Sequence, residues 1–167
     1  FKSLDYEGNG FILKKDLIDA LESRGILMGD PRIEDMAKKI KQFKDTEQIS
    51  PRQFHDAIVH NITLIEKALK GELIIPDFLS FTNKVREIFE NVKQNKGGAV
   101  ADYIPQLARV SPDYYALSIC TVDGQQFNLG DYEIPYSIQS TTKPINYAFA
   151  LDEFGEEVVH RHIGREP

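Results

Sequence analysis

Apolar residues recur at helical spacing through most of the first ninety positions and then give way to alternation. Leu17, Ile18 and Leu21 form one short stripe. Ile33, Met36, Ala37 and Ile40 form a second, on a helix expected from Pro31 to Ile40. A third helix is expected from Phe54 to about Leu69, opened by Ser50-Pro51, since proline is tolerated in a first turn. Gly71 and Pro76 break the pattern, which places a domain boundary near residue 71 and divides the chain into 1–70 and 71–167. Phe78, Phe81, Val85, Ile88, Phe89 and Val92 then predict a long amphipathic helix from Asp77-Phe78 to Lys93. Residues 99–108 read as mixed loop and short helix. Residues 114–121 read as a strand, Val122-Asp123-Gly124-Gln125 as a tight turn, and 126–129 as the return strand, Asp-Gly being a strong hairpin signal. An extended stretch, 134–138, leads into Gln139-Ser140-Thr141-Thr142-Lys143-Pro144 and a further apolar helix from Ile145 to Leu151.

The polar residues between the first stripes are spaced for chemistry. With Gly10 at the sharp turn of an EF-hand-like loop, Asp5, Glu7 and Asn9 fall at the first three side-chain ligand positions and Asp16 at the last. Ile12 falls where such loops make a short strand contact. Asp16 stands in place of the bidentate Glu, and Leu13 offers no side-chain oxygen. This makes Asp5, Glu7, Asn9 and Asp16 a weak Ca²⁺ candidate, and packing alone is the competing explanation of the loop. A second loop follows Ile40. Matching Ile49 to Ile12 puts Gln42, Lys44 and Thr46 where carboxylates belong, so this loop is not expected to bind a divalent cation. EF-hand units pair, so residues 1–70 read as a four-helix, EF-hand-like domain. His55 and His60 are five apart and do not share a helix face.

Ser140 and Lys143 lie three residues apart, one turn apart on one helix face. An amine so placed can take the proton of a hydroxyl nucleophile. The spacing is equally that of a helix start capped by serine. Composition narrows the field little. The chain has 167 residues, 41% hydrophobic and 28% charged, which is ordinary for a globular protein. A net charge of −6 disfavours nonspecific nucleic-acid binding, and no apolar run is long enough to span a bilayer. Cys120 is the one cysteine; it lies in an apolar strand and is expected to be a buried thiol in a reducing compartment. The chain opens on Phe1 and closes on Gly164-Arg165-Glu166-Pro167, and it is expected to be a piece of a longer protein.

Four ordered blocks carry a more specific signal. They are Gly97-Gly98-x-Val100-Ala101-Asp102-Tyr103-Ile104-Pro105-Gln106-Leu107-Ala108, then Cys120-Thr121-Val122-Asp123-Gly124-Gln125, then Gln139-Ser140-x-x-Lys143-Pro144, and last Val159-His160-Arg161-x-x-Gly164-x-Glu166-Pro167. In these blocks the chain resembles the glutaminase family, specifically the animal, mitochondrial-type enzymes. The likeness is strong over 75–167 and looser over 1–75. It implies an α+β chain: an EF-hand-like four-helix domain followed by the first part of a β-lactamase-like α/β/α catalytic domain, built from helix, antiparallel hairpin and S-x-x-K helix. It implies hydrolysis of L-glutamine to L-glutamate and ammonia without metal or organic cofactor. Carried over residue by residue, Ser140 is the nucleophile, Lys143 its general base, Tyr103 a tyrosine lining the site and relaying a proton, and Gln139 a substrate contact. The Ser140 backbone amide is among the family's oxyanion donors. The resemblance further implies a homo-oligomer, dimer or tetramer, in mitochondria, with L-glutamine as the small-molecule partner and neither nucleic acid nor membrane.

A helix N-terminus favours an alkoxide and disfavours a charged lysine, and burial of Lys143 is expected to act the same way. The family's remaining substrate contacts, an asparagine, a glutamate and further tyrosines, have no counterpart here, so the chain alone is expected to be inactive. Two other readings stand beside this one. A Ca²⁺-responsive EF-hand-like module without catalysis rests on Asp5, Glu7, Asn9 and Asp16. A penicillin-recognising serine hydrolase shares S-x-x-K but leaves the Tyr103 and Val159-His160-Arg161 blocks unexplained.

Overall fold

The computed structural model describes residues 1–165. Its elements are helices and two small antiparallel sheets of two strands each. In order they are β1 (Ile12–Leu13), α1 (Lys14–Glu22), α2 (Glu34–Lys41), β2 (Gln48–Ile49), α3 (Pro51–Ile58), α4 (Ile62–Lys70), α5 (Phe78–Lys93), α6 (Pro105–Ala108), β3 (Ala116–Cys120), β4 (Gln126–Gly130) and α7 (Lys143–Val159). They fall into two compact units, one of 1–98 with 113–132 and one of 99–112 with 133 onward. The units do not divide at residue 71, because α5 and the hairpin pack in the first.

The helical part of the first unit follows its apolar stripes. Leu17 and Leu21 of α1, Met36 and Ile40 of α2, Ile65 of α4, and the intervening Ile26, Ile33 and Ile49 are fully buried in one core. Each such side chain contributes about 1.5–3 kcal/mol by leaving water. The paired loops meet as expected: β1 and β2 are antiparallel with Ile12 opposite Ile49. No helix precedes the first loop, since residues 1–7 run through turns. The fourth helix arises instead because the expected 54–69 helix is broken. Val59–Asn61 is a 3-10 turn, and the Asn61 side-chain amide donates to the Arg32 carbonyl across the domain. β-Branched Ile58, Val59, Ile62 and Thr63 crowd the same turn and make continuous helix less favourable. Ser50 and Gln53 cap α3 reciprocally.

Helix α5 keeps its predicted span, capped by Asp77, whose carboxylate accepts from the Ser80 amide at 3.1 Å. Phe78 and Phe89 are buried, whereas Ile88 and Val92 of the same stripe are about half exposed. The hairpin packs on this helix: Phe89 stacks on Tyr115 at 4.5 Å and Arg86 lies over the Phe127 ring at 5.3 Å. The hairpin register pairs Ala116 with Gly130 and Cys120 with Gln126. Successive strand side chains face opposite ways, and Cys120 shares the exposed face with Ala116 and Ser118. The expectation of a buried thiol is therefore corrected: what surrounds Cys120 is solvent.

The second unit carries α6, α7 and their flanking loops. Val159 is its one buried residue among those described. Helix α7 changes direction at Gly155, whose φ of 76° and ψ of 159° are not helical. Among the described residues no helix is long and apolar enough to cross a membrane.

Candidate active site

Gln139 opens the site with a backbone φ of 48°. This is the left-handed region, which a non-glycine residue occupies at a cost of about 1–3 kcal/mol and which concentrates at functional sites. It follows Ile138, whose φ of −65° and ψ of −25° are right-handed helical, so the expected extended run stops short of the motif, and it leads into a 3-10 turn, Gln139–Thr142, that feeds directly into α7. Thr141 and Thr142 hold that turn, their hydroxyls donating back to the carbonyls of Ile138 and Gln139. The turn puts Ser140 three residues before Lys143, the first residue of α7.

Lys143 Nζ lies 2.7 Å from Ser140 Oγ. Neither the 3-10 turn nor α7 has a side-chain cap, so the serine hydroxyl is engaged by the lysine and not by the helix end. The structure therefore does not use Ser140 as a helix cap. Both residues are exposed, which corrects the expectation of a buried lysine. Tyr103 is brought to the same place from 36 positions upstream, its hydroxyl donating to Gln139 Oε1 at 3.4 Å. Its ring is 72% exposed, so it is not a core aromatic. Gln139 Nε2 donates to Ser137 Oγ at 3.2 Å. The four residues picked out by sequence thus form a chain of contacts, Tyr103 to Gln139 and Ser140 to Lys143, joined by the Gln139–Ser140 peptide.

One pair was not singled out. Tyr147 stands four residues after Lys143 and seven after Ser140, on the same helix face. Its hydroxyl lies 3.1 Å from His160 Nε2. His160 is the C-cap of α7, in the turn that follows the helix, and its Nδ1 is 3.4 Å from the Ile163 carbonyl. The 3-4 spacing from Ser140 was the available signal. In the last sequence block, Glu166 and Pro167 lie outside the described residues.

The cation candidate is arranged differently. Both carboxylate oxygens of Asp5 accept backbone amides, from Asn9 and Gly10 at 2.9 Å each. Asn9 donates its side-chain amide to Glu7 at 2.6 Å. Asp5, Glu7, Asn9 and Asp16 border one depression, but among the described residues no three His, Cys, Asp or Glu side chains are placed to hold a metal. Lys14 instead ties the two loops together, through Asp45 at 2.9 Å and the Phe43 carbonyl at 2.9 Å.

Comparison with known proteins follows this division. Residues 98–167 match the glutaminase family model and residues 1–76 match an EF-hand domain model. The mouse protein named "Glutaminase liver isoform, mitochondrial" is 38% identical over 152 residues, covering 89% of this chain and 25% of that protein. Its rat counterpart is 38% identical over the same share. A Corynebacterium efficiens protein named "Glutaminase" is 47% identical over 81 residues, 48% of this chain and 19% of the relative. The chain spans about a quarter of the length of the animal relatives it matches.

Proposed function

We propose, from the premise that the chain belongs to the glutaminase family, that it is part of an enzyme hydrolysing L-glutamine to L-glutamate and ammonia. The observation that carries this reading is the 2.7 Å contact of Lys143 Nζ with Ser140 Oγ at the start of α7. Ser140 Oγ attacks the side-chain carbonyl carbon of glutamine as Lys143 takes its proton. The oxyanion of the tetrahedral intermediate is stabilised by backbone amides, Ser140 N–H among them. The C–N bond then breaks, the nitrogen leaving as ammonia with a proton returned through Lys143 and Tyr103. Water attacks the glutamyl ester by the same route reversed, giving glutamate and free Ser140. Gln139 contacts the substrate and orders Tyr103 through their shared hydrogen bond. This pair sits in a β-lactamase-like α/β/α catalytic domain, completed in the whole protein. The protein acts as a homo-oligomer; the names of the mouse and rat relatives, both called mitochondrial, support a mitochondrial site of action.

The test uses the whole protein that contains this chain. Ser140→Ala and Lys143→Met each lower ammonia release from glutamine by about 10³-fold or more, the scale expected when a nucleophile or its base is removed. Tyr103→Phe costs less, about 10²-fold. Ammonia release near the wild-type rate in Ser140→Ala overturns the assignment.

A further inference from the structure

The turn between β3 and β4 is seated among helices far from it in sequence. Gln125 is 0% exposed. Its Nε2 donates to the carbonyls of Arg24 and Ile75, at 3.0 Å each, and its Oε1 accepts the Ile75 amide at 3.0 Å. On one side of it, the Gln126 amide donates to the Gly25 carbonyl at 2.8 Å. On the other, Arg32 donates to the carbonyls of Asp123 at 2.6 Å and Gly124 at 2.9 Å, while the Ile74 amide donates to the Asp123 carboxylate at 2.6 Å. Asp30 holds the Arg32 guanidinium at 2.6 Å.

Two glycines make the approach possible. A Cβ on Gly25 would stand 2.6 Å from the Phe78 ring and 2.8 Å from Gln125 Cβ; on Gly124 it would stand 2.1 Å from the Arg32 guanidinium. Both have positive φ, +82° and +84°, which glycine adopts without strain. All these contacts lie within one compact unit. They nevertheless join the segment matched by the EF-hand domain model to the segment matched by the glutaminase model.

We propose that this turn is the docking site by which the EF-hand-like helices hold the hairpin, with the buried Gln125 side chain as its anchor. A side-chain amide is the group this seat requires. It must donate twice, to two buried carbonyls, and accept once. Leucine of similar size leaves both carbonyls and one amide without partners, a loss that buried polar groups resist strongly. Glutamate is more telling. Its neutral carboxyl donates to one carbonyl and accepts the Ile75 amide, but its carboxylate faces two carbonyl oxygens. Burial against these oxygens raises the carboxyl's folded-state pKa above its unfolded value. The docked form is then held at low pH and lost as pH rises through that raised value.

The charged and titratable groups near the seat are Asp30, Arg32, Asp123 and the Cys120 thiol. Burial acts to raise both carboxyls, yet hydrogen bonds from Arg32 to Asp30, and from Thr121 and the Ile74 amide to Asp123, hold both below the usual carboxylate range. These two and Arg32 keep their charges between pH 5 and 8, and a Cys120→Ser background removes the thiol.

Amide hydrogen exchange in this chain tests the docking, which stands apart from the glutaminase reading. In Gln125→Glu, protection at the Ile75 and Gln126 amides falls by about tenfold or more between pH 5 and pH 8 relative to wild type, while the β1–β2 amides stay protected. Arg32→Gln, at a partly exposed position, loses protection at Gln126 at both pH values. Unchanged protection in both variants overturns the docking.

Discussion

The EF-hand-like helices and the S-x-x-K helix all carry large apolar side chains, yet these end in opposite states. The first unit buries its stripes: Leu17, Leu21, Ile33, Met36 and Ile40 are 0% exposed. In the second unit Ile145, Phe149 and Phe154 stand 51%, 68% and 57% exposed. Stripe and partner came together in the one case and not in the other. A helix face states what it requires, while burial depends on which other segments are present to meet it. The candidate site holds Ser140 and Lys143 by local geometry, three residues apart, with Tyr103 reaching Gln139 from 36 positions upstream. The helical core is held by long-range packing.

The sharpest way to break this contrast is to remove core volume. Leu21→Ala should destabilise the first unit by about 2–5 kcal/mol, the range for a buried leucine, read from urea unfolding of the 167-residue chain. A change below about 0.5 kcal/mol, typical of surface sites, would show that the core is not what holds this unit. A smaller effect is expected from acid. Burial alone would raise the Asp30 carboxyl, but hydrogen bonds from the Arg32 side chain and backbone outweigh it and hold the group below the usual range. Its contribution is then present above the ordinary carboxylate pKa, near 3.9, and lost as pH falls through the lower folded value. Wild type should lose more stability than Asp30→Asn between pH 5 and pH 2 in the same unfolding measurement; equal losses would remove Asp30 from the account. The smallest effect belongs to α7. Phe149→Ala should change the stability of this chain by less than about 0.5 kcal/mol, and a core-sized loss would erase the difference between the two units.

Much of this was legible in sequence wherever the cause was local. The stripe from Phe78 to Val92 gave the span of α5, and loop alignment gave Ile12 opposite Ile49. Asp123-Gly124 gave the hairpin. What was not legible depended on distant partners. The break at Val59–Asn61 is bound to the Arg32 carbonyl, 29 residues from Asn61. Gln125 reads as one more polar turn residue until Arg24 and Ile75 close around it. Cys120 was misplaced because strand alternation reveals two faces but not which one is covered. At the site, the Ser140–Lys143 contact was foreseeable from spacing. The left-handed Gln139 was not, because glutamine carries no preference for that conformation.

The central claim is that Ser140 is the nucleophile. It has a rival in the chain, since Cys120 is an exposed thiol. The direct measurement is covalent labelling of the whole protein with a glutamine analogue carrying a diazomethyl ketone in place of the side-chain amide, which alkylates the nucleophile with loss of dinitrogen, mapped by peptide mass spectrometry. The account predicts one label, on Ser140, blocked by excess glutamine and absent from Ser140→Ala. A glutamine-protected label on Cys120, or undiminished labelling of Ser140→Ala, would contradict it.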